Sequence, residues 1–184
     1  MTDITQIYSM LDAKNSNEII KKGKVEARKI QDLSLLIMPL VREFVWESCA
    51  DVLAEKTDEE LEPYIPNLLE WLNDLNWPGA CTILERLRIF SPQKLKPHFV
   101  ELFYKLIVSD DFSDLSWAEN LLMLLDENPE FKKILNTDSF EKDRKQFEDK
   151  YARHIENTWI EVRQWCDSQS RGNETGNGSE IDDQ

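Results

Sequence analysis

The sequence contains little glycine, cysteine and histidine, and these shortages disfavour several classes of protein. Only 5 of the 184 residues are glycine, so a turn-rich sandwich or barrel would lack its usual turn residues. The 3 cysteines are widely separated, and no His lies near them at the spacing of a zinc site. No stretch approaches the roughly eighteen apolar residues of a membrane span, and the first residues do not resemble a signal peptide. We therefore expect a cytoplasmic protein without a metal site or a disulfide framework.

Basic residues are also scarce relative to acids. The chain has 22 Lys and Arg against 36 Asp and Glu, which gives a formal net charge of −14. Because this charge repels phosphate groups and anionic lipid surfaces, nucleic acid and membrane are poor candidate partners. No Gly-rich phosphate loop, nucleophile elbow or Cys/His pair occurs either. We predict no cofactor and no catalytic residue.

Helix-forming residues, by contrast, are abundant and follow helical periodicity. Trp46, Trp77 and Trp117 each begin a predicted helix, and similar loops at 58–63 and 92–97 precede the helices that follow. Recurrence at about 30 to 45 residues is typical of helical hairpins that bury their apolar faces against neighbouring hairpins. We predict an all-α fold: a HEAT/ARM-like α-solenoid of stacked antiparallel helical hairpins with a long C-terminal helix.

A shift of thirty-four residues superposes the core positions of two predicted hairpins and reverses two charges. Glu60 then corresponds to Lys94, and Glu62 to Lys96. The final predicted helix starts at Asp138 or the next residue, ends near residue 167 and caps the stack. The polar composition after it cannot bury enough surface to offset the entropy of ordering. We predict one HEAT-like domain over residues 1–167 and a disordered polar tail over 168–184.

Several local features bear on this fold. Cys49 and Cys81 fall in the apolar stripes of two predicted helices, where a free Cys acts as a small hydrophobic side chain. Asn76 is predicted to cap the helix that Trp77 opens. A helix is predicted from about Asn17 toward Leu33, and Gly23 in its middle leaves open whether this stretch forms one helix or two pieces.

The block Tyr64-Ile-Pro-Asn-Leu-Leu-Glu-Trp-Leu-Asn-Asp-Leu-Asn-Trp-Pro-Gly79, with Ile83-Leu-Glu-Arg-Leu87 after it, resembles a bacterial family of uncharacterised proteins. That family has HEAT-like hairpins and a D-x-N-W-P signature, and the resemblance covers about residues 33 to 135. It implies a HEAT-like fold and no established activity. Some small HEAT-like proteins of this kind are suspected immunity proteins of bacterial toxin systems, which is an analogy at the level of the fold.

The signature residues have a structural interpretation and a functional one. Asp74 and Asn76 suit a helix N-terminus, and Trp77 suits a wedge between hairpins. A structural junction is therefore the favoured reading. The alternative is that Trp77 or Asp74 opens onto a groove and binds a ligand.

An acidic cluster is the main functional lead. Between Glu43 and Asp74 the sequence has ten acids and one base, Lys56. Such a cluster favours a basic protein partner, with an aromatic side chain as anchor. A solvated face that only keeps the protein soluble is the alternative. The candidate binding residues are Glu59, Glu60, Glu62, Tyr64, Glu70, Trp71, Asp74 and Trp77.

We carry three functional hypotheses forward. The first is a non-enzymatic adaptor that binds another protein, such as a basic toxin domain, through these acids. The second is an enzyme related to HEAT-like DNA glycosylases, against which the charge argues. The third is a structural or oligomerising module. The sequence leaves the identity of the partner and the oligomeric state open.

Overall fold

A computed structural model describes residues 3–40, 43–126 and 128–174, and it contains only helices and turns in these ranges. The predicted all-α fold is confirmed. Among the described helices, none has both the length and the apolar character needed to cross a membrane. The helices are α1 (Ile4–Leu11), α2 (Asn17–Ala27), α3 (Trp46–Ala54), α4 (Asp58–Leu61), α5 (Ile65–Glu70), α6 (Ala80–Arg88), α7 (Pro92–Ile107), α8 (Phe112–Asp126), α9 (Pro129–Leu135) and α10 (Asp138–Glu174). Short 3-10 segments lie at Leu33–Leu36, Glu43–Val45, Glu62–Tyr64 and Trp71–Asn73.

The chain divides into two compact units, Met1–Thr137 and Asp138–Gln184. The first unit contains α1 to α9, and the second contains α10. This last helix continues to Glu174, past the end near residue 167 that its sequence pattern indicates. The rest of the predicted disordered tail, residues 175–184, lies outside the described residues. The single domain over 1–167 and the disorder of the tail stay predictions.

Helices of the first unit contact one another in two successions. Helix α3 packs against α2 and α6, and α6 packs against α8. Helix α5 packs against α7, and α7 packs against α9. The thirty-four-residue shift relates positions that are buried in both copies: Leu61 and Leu95, Ile65 and Phe99, Leu69 and Phe103, Leu72 and Leu106.

Gly23 lies inside α2, which is one helix but ends at Ala27, short of the end predicted near Leu33. It is buried, and a Cβ at this position would lie 2.9 Å from the Cβ of Met10. The missing side chain therefore lets α1 approach α2 closely, and this packing offsets the low helix propensity of glycine.

The prediction of a loop at residues 92–97 is wrong. Helix α7 begins at Pro92 and contains Pro97 in its interior. An interior proline removes one backbone hydrogen bond and crowds a carbonyl, at a cost of about 3 kcal/mol. Leu95 and Phe99, both fully buried, lie on either side of Pro97 and stabilise the helix through the core. The matching segment before α5 is instead the one-turn helix α4 followed by a 3-10 turn.

Candidate protein-binding surface

The segment 74–79 connects α5 to α6 through a compact turn. Asp74 Oδ1 accepts hydrogen bonds from the backbone N–H of Asn76 at 2.8 Å and from its side-chain amide at 2.9 Å. Gly79, with φ of +82°, occupies the N-cap position, and α6 begins at Ala80. The prediction that Asn76 caps a helix opened by Trp77 is therefore wrong. The Asn76 side chain is engaged by Asp74, and only the left-handed backbone at Gly79 turns the chain into α6.

Three tryptophans form a cluster beside this turn. The Trp46 ring makes edge contacts with Trp71 at 6.2 Å and with Trp77 at 5.8 Å between centroids. Trp71 Nε1 donates to the carbonyl oxygen of Pro78, and Trp46 Nε1 donates to that of Pro39, both at 3.0 Å. Because these indole N–H groups bond to backbone, the geometry favours the structural interpretation of the junction.

The aromatic candidates differ in accessibility. Trp71 is fully buried, so its assignment as a surface anchor for a partner is wrong. Its ring fills the space between α3 and the turn at Pro78, where burial of a large apolar surface stabilises the fold. Tyr64 and Trp77 are half-buried and keep part of their rings accessible. Tyr64 is the aromatic residue nearest in sequence to the acids of α4.

The acids of α4 and the following 3-10 turn are exposed, and they share two lysines. Lys94 Nζ lies 3.2 Å from Glu59 Oε1 and 2.8 Å from Glu62 Oε2. Lys56 Nζ lies 3.2 Å from Glu60 Oε1. The Glu59 side chain is 78% exposed and that of Lys94 is 27% exposed. Glu59 and Glu62 therefore meet at Lys94, and Glu60 lies beside Lys56.

Hydrogen bonds and charge shift the pKa values of these groups. The pKa of Glu59 is lowered, first by its own backbone N–H and then by Lys94. The pKa of Glu60 is lowered, first by the backbone N–H of Thr57 and then by Lys56. The hydrogen bonds that Lys94 donates to Glu62 and then to Glu59 raise the pKa of Lys94. The charged forms of Glu59, Glu60 and Lys94 are stabilised by their neighbours, so these three groups stay ionised at neutral pH.

Most other acids of the sequence cluster have partners from distant segments. Asp51 pairs with Lys24 of α2. Glu55 makes a two-pronged ion pair with Arg28, with both N–O distances 2.6 Å. These bases lie twenty-seven residues away in sequence, so a count of local charge does not reveal them. The cluster is therefore a set of ion pairs between helices, with excess negative charge around α4.

Asp58 forms the most buried of these pairs. Its Oδ1 lies 2.6 Å from Nη2 of Arg86, whose side chain is only 7% exposed, and its Oδ2 accepts the backbone N–H of Ser91 at 2.8 Å. Arg86 also donates to the carbonyl oxygen of Lys56. Asp58 therefore joins α4 to α6 and to the start of α7, and it is a structural residue.

Glu70 differs from these acids because it is exposed and has no ion pair among the described residues. Glu70 is the last residue of α5. Asp74 instead accepts the backbone N–H of Asn76 within the turn at 74–79. The structure thus separates the predicted set into accessible residues around α4 and α5 and residues that build the junction.

The thiols and possible metal ligands add no second site. Cys49 is buried as predicted, and burial raises its pKa to about 12. Cys81 is exposed, so its placement in an apolar stripe is wrong; the buried face of α6 instead includes Ala80 and Leu84. Among the residues that the structure describes, no group of three or more His, Cys, Asp or Glu side chains is arranged to hold a metal ion.

The described residues thus form an all-helical protein in which several ion pairs join neighbouring helices. A family model described as Domain of unknown function (DUF5071) matches residues 46–159, which is more than half of the chain. The protein belongs to this family. No match was found in the comparisons with curated proteins and with solved structures. The resemblance to an uncharacterised family is thus confirmed at that level, and the HEAT-like character and D-x-N-W-P signature stay predictions.

Proposed function

We propose that this protein is a non-enzymatic, helical-repeat module that binds a basic protein partner. The binding site is the acidic surface, which we define as Glu59, Glu60, Glu62, Tyr64 and Glu70. The observation that supports it most directly is that Glu59 and Glu62 share the single ammonium group of Lys94. Two carboxylates with one counter-charge retain negative charge at an exposed position, and a basic group of a partner complements it.

The internal ion pairs do not prevent this binding. Exposed ion pairs are worth about 0 to 1 kcal/mol because water screens them and ordering long side chains costs entropy. A partner arginine makes two parallel hydrogen bonds to a carboxylate, which are stronger than those of a lysine. A partner arginine can therefore take the place of Lys94 as the ion-pair partner of Glu59 or Glu62. This replacement is favourable once the interface excludes water.

Tyr64 and Glu70 extend the acidic surface along α5. Tyr64 is half-buried and keeps a polar hydroxyl on an apolar ring, a combination that is enriched at protein interfaces. Glu70 brings a further exposed carboxylate without an internal ion pair in the described ranges. An aromatic anchor between acids suits a basic surface that also carries apolar side chains.

The fold that presents this surface is, in our proposal, a HEAT-like stack of antiparallel hairpins. The succession of contacts from α2 through α3 and α6 to α8, with a second from α5 through α7 to α9, supports it. In such a stack each unit contacts mainly its neighbours. Hydrogen exchange tests the idea: a destabilising substitution in α9 should speed exchange in α7 and α8 and leave α1 and α2 unchanged.

Within this class, a basic toxin domain is the partner that the analogy with small HEAT-like proteins suggests, and an immunity role would follow from it. Affinity capture from the native host identifies the partner, and calorimetry then measures its Kd. We expect Glu59→Lys with Glu62→Lys to weaken binding at least about tenfold through repulsion. The matched control, Glu18→Lys with Glu101→Lys, changes the net charge equally at other exposed helix positions and should leave Kd within about twofold.

A third variant tests the role of Lys94 directly. Lys94→Gln frees both carboxylates from their internal partner, so we expect tighter binding and a steeper dependence on salt. Equal affinity of the Glu59/Glu62 double variant and the wild type would refute the acidic surface. Absence of DNA binding at about 50 mM salt would eliminate the glycosylase alternative.

A further inference from the structure

The distal half of α10 carries an exposed apolar stripe. Trp159 is 66% exposed and Val162 is 46% exposed, and Ile155 is half-buried on the same side of the helix. Their spacing of four and then three residues places them along one face. A solvent-exposed tryptophan between two β-branched residues is unfavourable in water, so this stripe is expected to be covered by another surface.

We infer that this stripe pairs with the same stripe of a second copy of the chain, with the two helices antiparallel. The charges beside the stripe point to this occupant. Glu156 and Arg163 are exposed and seven residues apart, so about two helical turns place them on the same edge of the stripe. Neither makes an ion pair within the described part of α10.

An antiparallel two-fold arrangement places each charged residue beside the stripe opposite a residue of the other sign, and it places the apolar residues of the two stripes side by side. When the axis passes between positions 159 and 160, Glu156 of each copy faces Arg163 of the other, which forms two ion pairs. With a rise of about 1.5 Å per residue, Trp159 of one copy lies beside Trp159 of the other. Ile155 then lies within about 3 Å along the axis of the Val162 level of the other copy. A self-complementary patch of this kind is the basis of a two-fold symmetric interface.

The helix dipoles also favour the antiparallel orientation of the two helices. Antiparallel helices place opposite ends of their dipoles side by side, which is favourable. The interface is short, and interfaces at the low end of the size range form weak or transient complexes. A dissociation constant on the order of tens of micromolar is therefore expected. The stripe contains no residue of the acidic surface, so each surface can be tested by its own substitutions.

Sedimentation velocity on the full chain, from about 1 μM to about 500 μM, tests the inference. We expect a monomer–dimer equilibrium that Trp159→Ala weakens at least about tenfold. Alanine is the better helix former, so a loss of association would not come from a loss of helix, and circular dichroism checks this. A monomer over the whole range, or a dimer that Trp159→Ala does not weaken, would overturn the proposal.

Charge exchange tests the antiparallel order. Glu156→Arg alone and Arg163→Glu alone each put like charges together twice per dimer, so each should weaken association. The double variant restores opposite charges and should recover most of the wild-type Kd. Arg153→Glu, which changes the charge by the same amount on the opposite face of α10, is the matched control and should have little effect. A double variant weaker than both single variants would refute the antiparallel pairing.

Discussion

The backbone N–H of Gly79 donates a 2.6 Å hydrogen bond to Oε2 of Glu47, which precedes it by 32 residues. A carboxylate at this position satisfies one of the free N–H groups at the start of α6 and complements the helix dipole. An acid that the sequence presents as part of a charged cluster thus holds α6 against α3. This contact is possible because Gly79 has no side chain between the turn and α3.

The first prediction concerns Gly79. In Gly79→Ala, the new Cβ would lie 2.5 Å from the Cβ of Ala50, on a backbone with φ of +82°. Backbone strain and overpacking together should lower the free energy of unfolding by about 2 to 4 kcal/mol. Urea unfolding followed by circular dichroism measures the loss.

A double-mutant cycle separates the two causes at this position. Ala50→Gly removes the methyl group that the new side chain meets, so the double variant should lose less than the sum of the two single losses. Additive losses would show that the clash with Ala50 does not contribute.

The second prediction concerns the pair of Asp58 and Arg86. Asp58→Ala leaves a buried guanidinium without its carboxylate and the N–H of Ser91 without its acceptor. We expect a loss of about 2 to 4 kcal/mol in the free energy of unfolding. Glu55→Ala is a matched control, because Glu55 also lies 2.6 Å from an arginine, Arg28, but the two side chains are 48% and 42% exposed. It should change the stability by less than about 1 kcal/mol, and equal losses in the two variants would contradict the role of Asp58.

The third prediction concerns pH. The pKa of Glu60 is lowered by the backbone N–H of Thr57 in a capping box, so its folded pKa lies below the ordinary value of 4.5. Such a group stabilises the fold above the pKa of the unfolded chain, and this contribution is lost as pH falls through the folded pKa. Stability should therefore fall below about pH 5, with a smaller decline in Glu60→Gln than in the wild type.

Urea unfolding from about pH 7 to about pH 3 measures this dependence. Glu70→Gln, which removes a carboxylate without an ion pair in the described ranges, should keep the wild-type profile. An identical decline in Glu60→Gln and the wild type would show that the capping box does not contribute to it.

The fourth prediction concerns the thiols. Burial raises the pKa of Cys49 to about 12, whereas Cys81 is exposed. Because the thiolate is the reactive form, dithionitrobenzoate should modify Cys81 at least about a hundred times faster than Cys49. The experiment uses a Cys166→Ser variant, so that Cys49 and Cys81 are the two thiols left. Adding Cys81→Ser to this variant should abolish the fast phase of modification. Rapid modification of both thiols in the folded protein would contradict the burial of Cys49.

The sequence predicted the helical class and much of the core, and local contacts explain why. Helical spacing depends on neighbouring residues, so Leu61, Leu69 and Leu72 could be recognised as core positions without a structure. Exact helix ends were less predictable. Proline usually marks a boundary, yet Pro97 lies within α7 because the buried residues around it outweigh the cost of the lost hydrogen bond.

The candidate site was only partly predictable, because charge was counted along the chain. Glu59, Glu60 and Glu62 are adjacent in sequence and do form one exposed group. Lys94, which Glu59 and Glu62 share, and Arg86, which holds Asp58, come from segments about thirty residues later. No local pattern identifies such partners, since they meet only when α4 packs against α6 and α7.

By itself, the sequence determined an all-helical chain with an acidic segment, since helix periodicity and charge are written in adjacent residues. Tertiary structure decided which of those acids are surface charge and which are ties between helices. It also decided that Trp71 is core and not an anchor. The physical reason is that burial and ion pairing depend on which helices become neighbours, and close packing against α3 leaves no solvent around the Trp71 ring.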